Sequence, residues 1–259
     1  MVMKYLSVAE AKDLPGLRLV LTSHIPGPYG EGAKAVLKLR GVDFIPVEQK
    51  VMEPNEDLLA WTGVRNAPTA MYNDEPALTT WMDILLLGER LGSGPSLLPS
   101  DPIERALALG FTAEICNRDG IAWCTRVLLQ APAAHKAAPP PVPGSDSIRA
   151  GYGVRPDAIA IAPDRIRSVL KGLATQLKKQ EAIGSIYLVG KQLSVADVYW
   201  AFFSLPLVPL AKEDNPLLPD WLLARHRGLP KDVTSAVDPI LLEHRDMVLR
   251  KHVGLPLDF

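Results

Sequence analysis

Four consecutive residues, Gly27-Pro28-Tyr29-Gly30, stand where a strand hands over to a helix, a placement that can hold an anion. The run Leu17 to Thr22 is rich in Leu and Val and reads as a buried strand. Glu31 to Arg40 has helical spacing, with Ala33, Val36, Leu37 and Leu39 on its apolar side and Gly41 as its stop. A strand, a proline-containing turn and a helix start bring orphan amides and the positive end of the helix dipole to one point. Other chemistry-bearing types are sparse. The two cysteines, Cys116 and Cys124, are eight residues apart; on one helix that is about 12 Å of rise, too far for an undistorted disulfide. They read as small buried hydrophobes in a reducing compartment, and neither spacing nor neighbours suggest a metal site. His244-Arg245-Asp246 reads as a helix-surface pair, because no serine stands in a setting that would complete a triad.

The elements that must position the turn follow from pattern. Residues 1–16 are a lead-in. From Leu17 to about Leu91 the order is strand, helix, strand, short helix, strand, strand, helix: Asp43 to Val47 is the second strand and Glu56 to Trp61 the short helix. Thr69 to Tyr72 and Ala77-Leu78 form a hairpin across Asn73-Asp74, and Thr80 to Leu91 is helical through Trp81, Ile84, Leu85 and Gly88. Residues 92–100 are a Gly-, Ser- and Pro-rich linker. Asp101-Pro102-Ile103-Glu104 then opens a helix that can run to about Leu129: Asp caps, Pro takes the first helical position and Glu closes a capping box. A Pro- and Ala-rich excursion fills 131–156. Helices return at Pro163 to Glu181, striped with Ile166, Val169, Leu170, Leu173 and Leu177. They return again at Ser194-Val195-Ala196-Asp197, and at Asp238-Pro239 through His252. The first part is mixed α/β and 101–259 all helical.

Composition narrows the class. The 259 residues are 47% hydrophobic and 22% charged with a formal net charge of -1, which is ordinary globular composition and gives no electrostatic footprint for nucleic acid or an anionic membrane. No apolar run approaches the ~20 residues of a membrane helix. Glu10, Lys12 and Asp13 interrupt the N-terminus, so it does not read as a signal peptide and the expected location is cytoplasmic.

Three places together resemble the glutathione transferase superfamily. They are the turn and helix at Pro28-Tyr29, the triplet Asn66-Ala67-Pro68, and Leu188-Val189-Gly190-Lys191 continuing to the capping box Ser194–Asp197. The resemblance spans roughly 17–205 apart from the Pro-rich excursion. It implies a thioredoxin-like N-terminal domain (17–91) followed by an all-helical C-terminal domain, with Pro68 cis and the backbone at Ala67 pairing with the cysteinyl part of glutathione. It also implies glutathione as co-substrate, a hydrophobic small molecule as its acceptor, and a homodimer joined through the helix at Thr80 and the helix from Asp101.

Two departures bear on the chemistry. Where many relatives carry Cys, Ser or Tyr for the thiolate, this chain has Gly27. Helix-start amides and the dipole can stabilise a thiolate without a side chain, and the nearest candidate catalytic residues are Ser23, His24 and Tyr29. Against those roles, a hydroxyl ending a strand commonly bonds local backbone, a loop His is commonly solvated, and an aromatic after Pro packs over the site in relatives. Twelve residues past Pro68, many relatives carry a Glu-Ser pair for the γ-glutamyl group; here Thr80-Trp81 stands. Thr80 keeps a hydroxyl at a helix N-terminus. The lost charge-assisted bond would cost about 1.5–3 kcal/mol, roughly one to two decades of affinity. Asp83, one turn on, either compensates or is a solvated first-turn acid. Gln49, Lys50 and Arg65 lie in segments that border the glycyl end in relatives. Arg118, Trp123 and Arg126 lie where relatives build the electrophile pocket. The cluster Tyr199, Trp200, Phe202 and Phe203 reads as core. The expected binding positions are thus Gly27, Pro28, Ala67, Pro68, Thr80 and Trp81. Two functions compete: a transferase that conjugates glutathione to an apolar electrophile, and a non-catalytic protein of the same fold that binds an apolar ligand or a protein partner.

Overall fold

Strand β1 (Leu17–Thr22) alternates its side chains between two apolar layers, and the first part of the chain is arranged about it. The computed structural model describes residues 3–51, 53–131 and 154–258. β1 pairs in parallel with β2 (Ile45–Gln49) and antiparallel with β3 (Thr69–Tyr72), giving the order β2-β1-β3. Leu17, Leu19 and Leu21 face helices α2 (Pro28–Leu39) and α4 (Trp81–Leu91), packing with Ala33, Leu37, Ile84 and Leu87. Val20, on the other face, packs with Val47, with Leu58 of α3 (Glu56–Thr62) and with Val8 and Ala11 of α1 (Val8–Ala11). α1 was not expected. Its four residues are too few to show a period, although Ser7 and Glu10 form a capping box. Arg18 stays buried in the strand because its guanidinium donates to the carbonyls of Leu14, Gly16 and Asn73. The expected hairpin partner of β3 is a single bridge, Ala70 to Leu78.

The chain divides into two compact units, Met1–Leu97 with Lys212–Leu218 and Arg250–Phe259, and Leu98–Ala211 with Pro219–Leu249. In the second unit the expected long helix from Asp101 is two: α5 (Pro102–Cys116) and α6 (Ile121–Gln130). The break is local chemistry. Asn117-Arg118-Asp119-Gly120 is turn-forming, Asp119 has φ 68°, and a Cβ on Gly120 would sit 2.6 Å from the Glu114 carbonyl. Cys116 and Cys124 therefore lie on different helices, both buried and not joined in a disulfide. Of the Pro-rich 131–156, residues 132–153 lie outside the described residues. α7 (Pro156–Ala182) begins earlier than expected, with Pro156 at its first turn, and runs through Pro163. Its expected stripe is buried.

α8 (Val195–Phe203) is buried along its whole length, so its aromatics are core. α9 (Asp220–Arg227), α10 (Lys231–Thr234) and α11 (Pro239–Val248) follow, and α11 passes into a π-helical turn, Leu249–Val253. Asp197, fully buried, organises this unit. One carboxylate oxygen accepts from the Leu188 N–H (2.7 Å) and lies 2.8 Å from His244 Nε2; the other accepts from the Ser194 N–H and hydroxyl, both at 2.7 Å. A capping box thereby also ties α11 to α8, and His244 is an internal partner, not the surface residue expected. Asp197→Ala strands buried donors, so it is expected to lower unfolding free energy by about 3–5 kcal/mol, read from the urea midpoint.

Candidate functional site

The β1–α2 turn lies at one end of the sheet, and register brings two further turns to it. β1 and β3 pair with Val20 opposite Thr69, so the end of β1 adjoins the start of β3, where the Ala67-Pro68 bond is cis. The antiparallel bridge sets Leu78 opposite Ala70, with Thr80 two residues after the first and Pro68 two before the second. Three segments far apart in sequence thus meet at one sheet end.

Each position can be read in turn. Gly27 is the N-cap of α2 with no side-chain cap, its N–H donates to the Ile25 carbonyl (2.9 Å), and its carbonyl accepts from the Glu31 N–H (3.0 Å). Pro28 opens the helix without an N–H, so the first-turn donors are the amides of Tyr29 and Gly30. Gly30 lets this turn lie close on β1: a Cβ there would sit 3.2 Å from the Leu21 side chain. Ser23 is buried, and its hydroxyl donates to Glu48 Oε1 at 2.8 Å. His24 is exposed, with φ 59°, its ring tilted against Tyr5 at 6.3 Å between centroids. Thr80 caps α4: its hydroxyl accepts from the Asp83 N–H (3.1 Å) and donates to Asp83 Oδ2 (2.6 Å). Trp81 is 8% exposed and belongs to the core. Gln49 accepts from the Thr22 hydroxyl at 2.8 Å, and Arg65 pairs with Glu56 at 2.9 Å. Burial pushes the Cys116 thiol well above its usual range, and burial with the Asp119 charge pushes Cys124 up to about 11. Among the described residues no group of His, Cys, Asp and Glu could hold a metal, and no helix is long and apolar enough to cross a membrane.

Among solved structures, this architecture is similar to glutathione transferase Omega 3C from Trametes versicolor (TM-score 0.61, 16% identity, 96% of this chain and 92% of that one). It is also similar to the β-etherase LigF from Sphingobium sp. strain SYK-6 (0.57, 18%, 89% and 99%). A third is a glutathione S-transferase from Methylobacterium radiotolerans in complex with glutathione sulfonate (0.55, 18%, 88% and 93%). This chain has the glutathione transferase fold. In sequence it is 29% identical over 94 residues to glutathione S-transferase U16 of Arabidopsis thaliana, and 28% identical over 102 residues to the probable glutathione S-transferase GSTU6 of Oryza sativa subsp. japonica. The matches cover 35% and 37% of this chain and only 40% and 43% of those relatives' length. No family model matches the chain.

In this glutathione transferase-fold protein, one group of residues escaped the sequence reading. Glu31 and Lys34, on the flank of α2, are buried and paired at 2.8 Å, and the Asp258 carbonyl accepts from Lys34 Nζ at 2.5 Å. Burial raises Glu31 to about 7, against the opposing charge and hydrogen bond of Lys34. Burial, then the charges of Glu31, Asp258 and Glu48, push the Tyr5 phenol up to about 12. The i, i+3 spacing of Glu31 and Lys34 was the available signal; Asp258 lies 224 residues from Lys34 and gave none. The guanidinium carbons of Arg118, in the turn before α6, and of Arg126, on α6, lie 5.2 and 5.5 Å from the centre of the Trp123 ring.

Trp81 and Thr80 are expected to separate by stability. Trp81→Ser opens a cavity and lowers unfolding free energy by roughly 3–5 kcal/mol. Thr80→Ala removes a cap and lowers it by about 1 kcal/mol. Denaturant titration of the two variants measures both.

Proposed function

We propose that this protein binds reduced glutathione, or a closely related thiol, where the β1–α2 turn, the cis Ala67-Pro68 turn and the start of α4 meet, and transfers it to an apolar electrophile. The convergence of those segments on one sheet end carries the reading, supported by the fold it shares with glutathione transferases. Gly27 and Pro28 leave room at the turn. The first-turn amides and dipole of α2 hold the thiolate, the Ala67 backbone pairs with the cysteinyl unit, and Thr80-Trp81 form the floor of the γ-glutamyl end. Sulfur then bonds to the electrophilic carbon, and the electron pair leaves with the displaced group or takes up a proton. His24 is the exposed donor at the turn; Ser23, tied to Glu48, holds the turn's shape, and Tyr29 packs beside it. The same resemblance supports a cytoplasmic homodimer, and Leu86 of α4 and Ile103 and Leu107 of α5 supply exposed apolar surface for it.

One observation favours the second reading, a non-catalytic binding protein. The Asp83 carboxylate stands at the start of α4 and takes the Thr80 hydroxyl, where a γ-glutamyl carboxylate would need donors and no nearby negative charge. Isothermal titration with reduced glutathione distinguishes the two. Heat consistent with millimolar or tighter binding is the expected result. No heat and no thermal shift at several millimolar would overturn glutathione as the ligand and leave the binding-protein reading. In the same titration, Asp83→Asn is expected to tighten glutathione about two- to fivefold by removing the like charge.

A further inference from the structure

We propose that residues 250–258 form a strap whose hold on α2 weakens as pH rises, with Glu31 and Lys34 as the sensing pair. The segment follows α11 in the chain yet belongs to the first unit. It is tied at two points. Near Asp214, the Leu257 N–H donates to the Asp214 carbonyl at 2.9 Å, and Arg250 lies 3.6 Å from the Asp214 carboxylate. At α2, Lys34 Nζ donates to the Asp258 carbonyl at 2.5 Å, and Lys38 Nζ lies 3.1 Å from the Asp258 carboxylate.

The second tie is unusual because its Lys34 end is buried. The Lys34 side chain is 3% exposed, and its ammonium serves two carboxylates: Glu31 at 2.8 Å and Asp258 at 3.8 Å. A buried ammonium must keep a partner, since removing one leaves an uncompensated charge in a low dielectric. Two carboxylates about one cation also repel each other, so ionised Glu31 works against the strap while protonated Glu31 leaves Lys34 to Asp258.

The groups that set this balance come from every element around it. Lys34 and Lys38 lie on α2 and Asp258 on the strap. Tyr5 comes from the lead-in, under the charges of Glu31, Asp258 and Glu48 of β2, and His24 sits against the Tyr5 ring. For Glu31, burial is the largest influence, opposed by Lys34 and reinforced by Asp258, and the carboxyl is raised from 4.5 to about 7. For Asp258, burial is outweighed by the Lys38 hydrogen bond and the two lysine charges, which hold its carboxyl below its usual value. Asp258 thus stays charged while Glu31 titrates.

The sign follows. With the strap in place Glu31 keeps its proton up to about 7. With the strap lifted, Glu31 loses the Asp258 charge, and water reaching it from the strap side relieves part of its burial, so its carboxyl moves back toward its ordinary value. The closed form binds the proton more tightly, so closure is strongest at low pH, weakens as pH rises through that interval, and levels off above about 7. The strap bears on the helix whose first turn is the proposed anion site, but the readout below requires no ligand, so its failure is distinct from failure of the glutathione reading.

Amide hydrogen exchange of the full chain between pH 5 and 8, expressed as protection relative to free-peptide rates, tests this. Protection of 250–258 is expected to fall by about tenfold or more as pH rises, corresponding to a shift of one pKa unit or more between the two forms. Amides of α7 in the other unit should stay constant. Glu31→Gln should give a protected strap with no pH dependence. Lys38→Met, which keeps the buried pair, should lower protection at every pH and keep the slope. A flat wild-type profile, a fall shared by α7, or an unchanged slope in Glu31→Gln would each overturn the proposal. Should Glu31→Gln fail to fold, a Lys38→Met profile without the slope would overturn it equally.

Discussion

The burial of β1 on both faces is the constraint from which the rest of the site follows. A three-stranded sheet is narrow, and its middle strand has no solvent side; every residue from Leu17 to Leu21 is buried. Even Arg18 is accommodated, by carbonyls turned toward it and by the Trp61 ring. Because side chains alternate across the pleat, a one-residue slip would exchange both apolar layers at once. The register is therefore rigidly specified, and with it the meeting of the β1–α2 turn, the cis-proline turn and the start of α4. Those turns need no contacts with one another to stay together; the sheet holds them.

That arrangement leaves few side chains available for chemistry at the turn. At Gly27 there is no hydroxyl or thiol, the Ser23 hydroxyl is directed to Glu48, and the Thr80 hydroxyl is directed to Asp83. What remains at the turn is a helix start and its amides, which cost little to retain because they belong to the fold itself.

Charge burial follows a different logic in each unit. In the helical unit, Asp197 accepts from two backbone amides and a hydroxyl and contacts His244, so its charge is dispersed among fixed dipoles. On α2, Glu31 and Lys34 are held chiefly by each other and by a segment from the far end of the chain. In the first, both carboxylate oxygens have their partners. In the second, burial outweighs the pairing with Lys34 and raises the Glu31 carboxyl to about 7.

Sequence alone determined what depends on neighbours within a few residues. The strand and helix at Leu17 to Arg40 and the Ser194–Asp197 box were legible because periodicity and capping are short-range, whereas the cis Pro68 followed from the family resemblance alone. Even there the turn at 117–120 was missed, since four turn-forming residues inside a helical pattern weigh little without a proline. Tertiary structure alone decided the long-range pairings. His244 looked like surface until α11 met Asp197, the burial of Trp81 showed only in the fold, and the pairing of Asp258 with Lys34 had no local signal. A side chain's type fixes what it can bond, but burial and partner are fixed by chain segments that the local pattern cannot see.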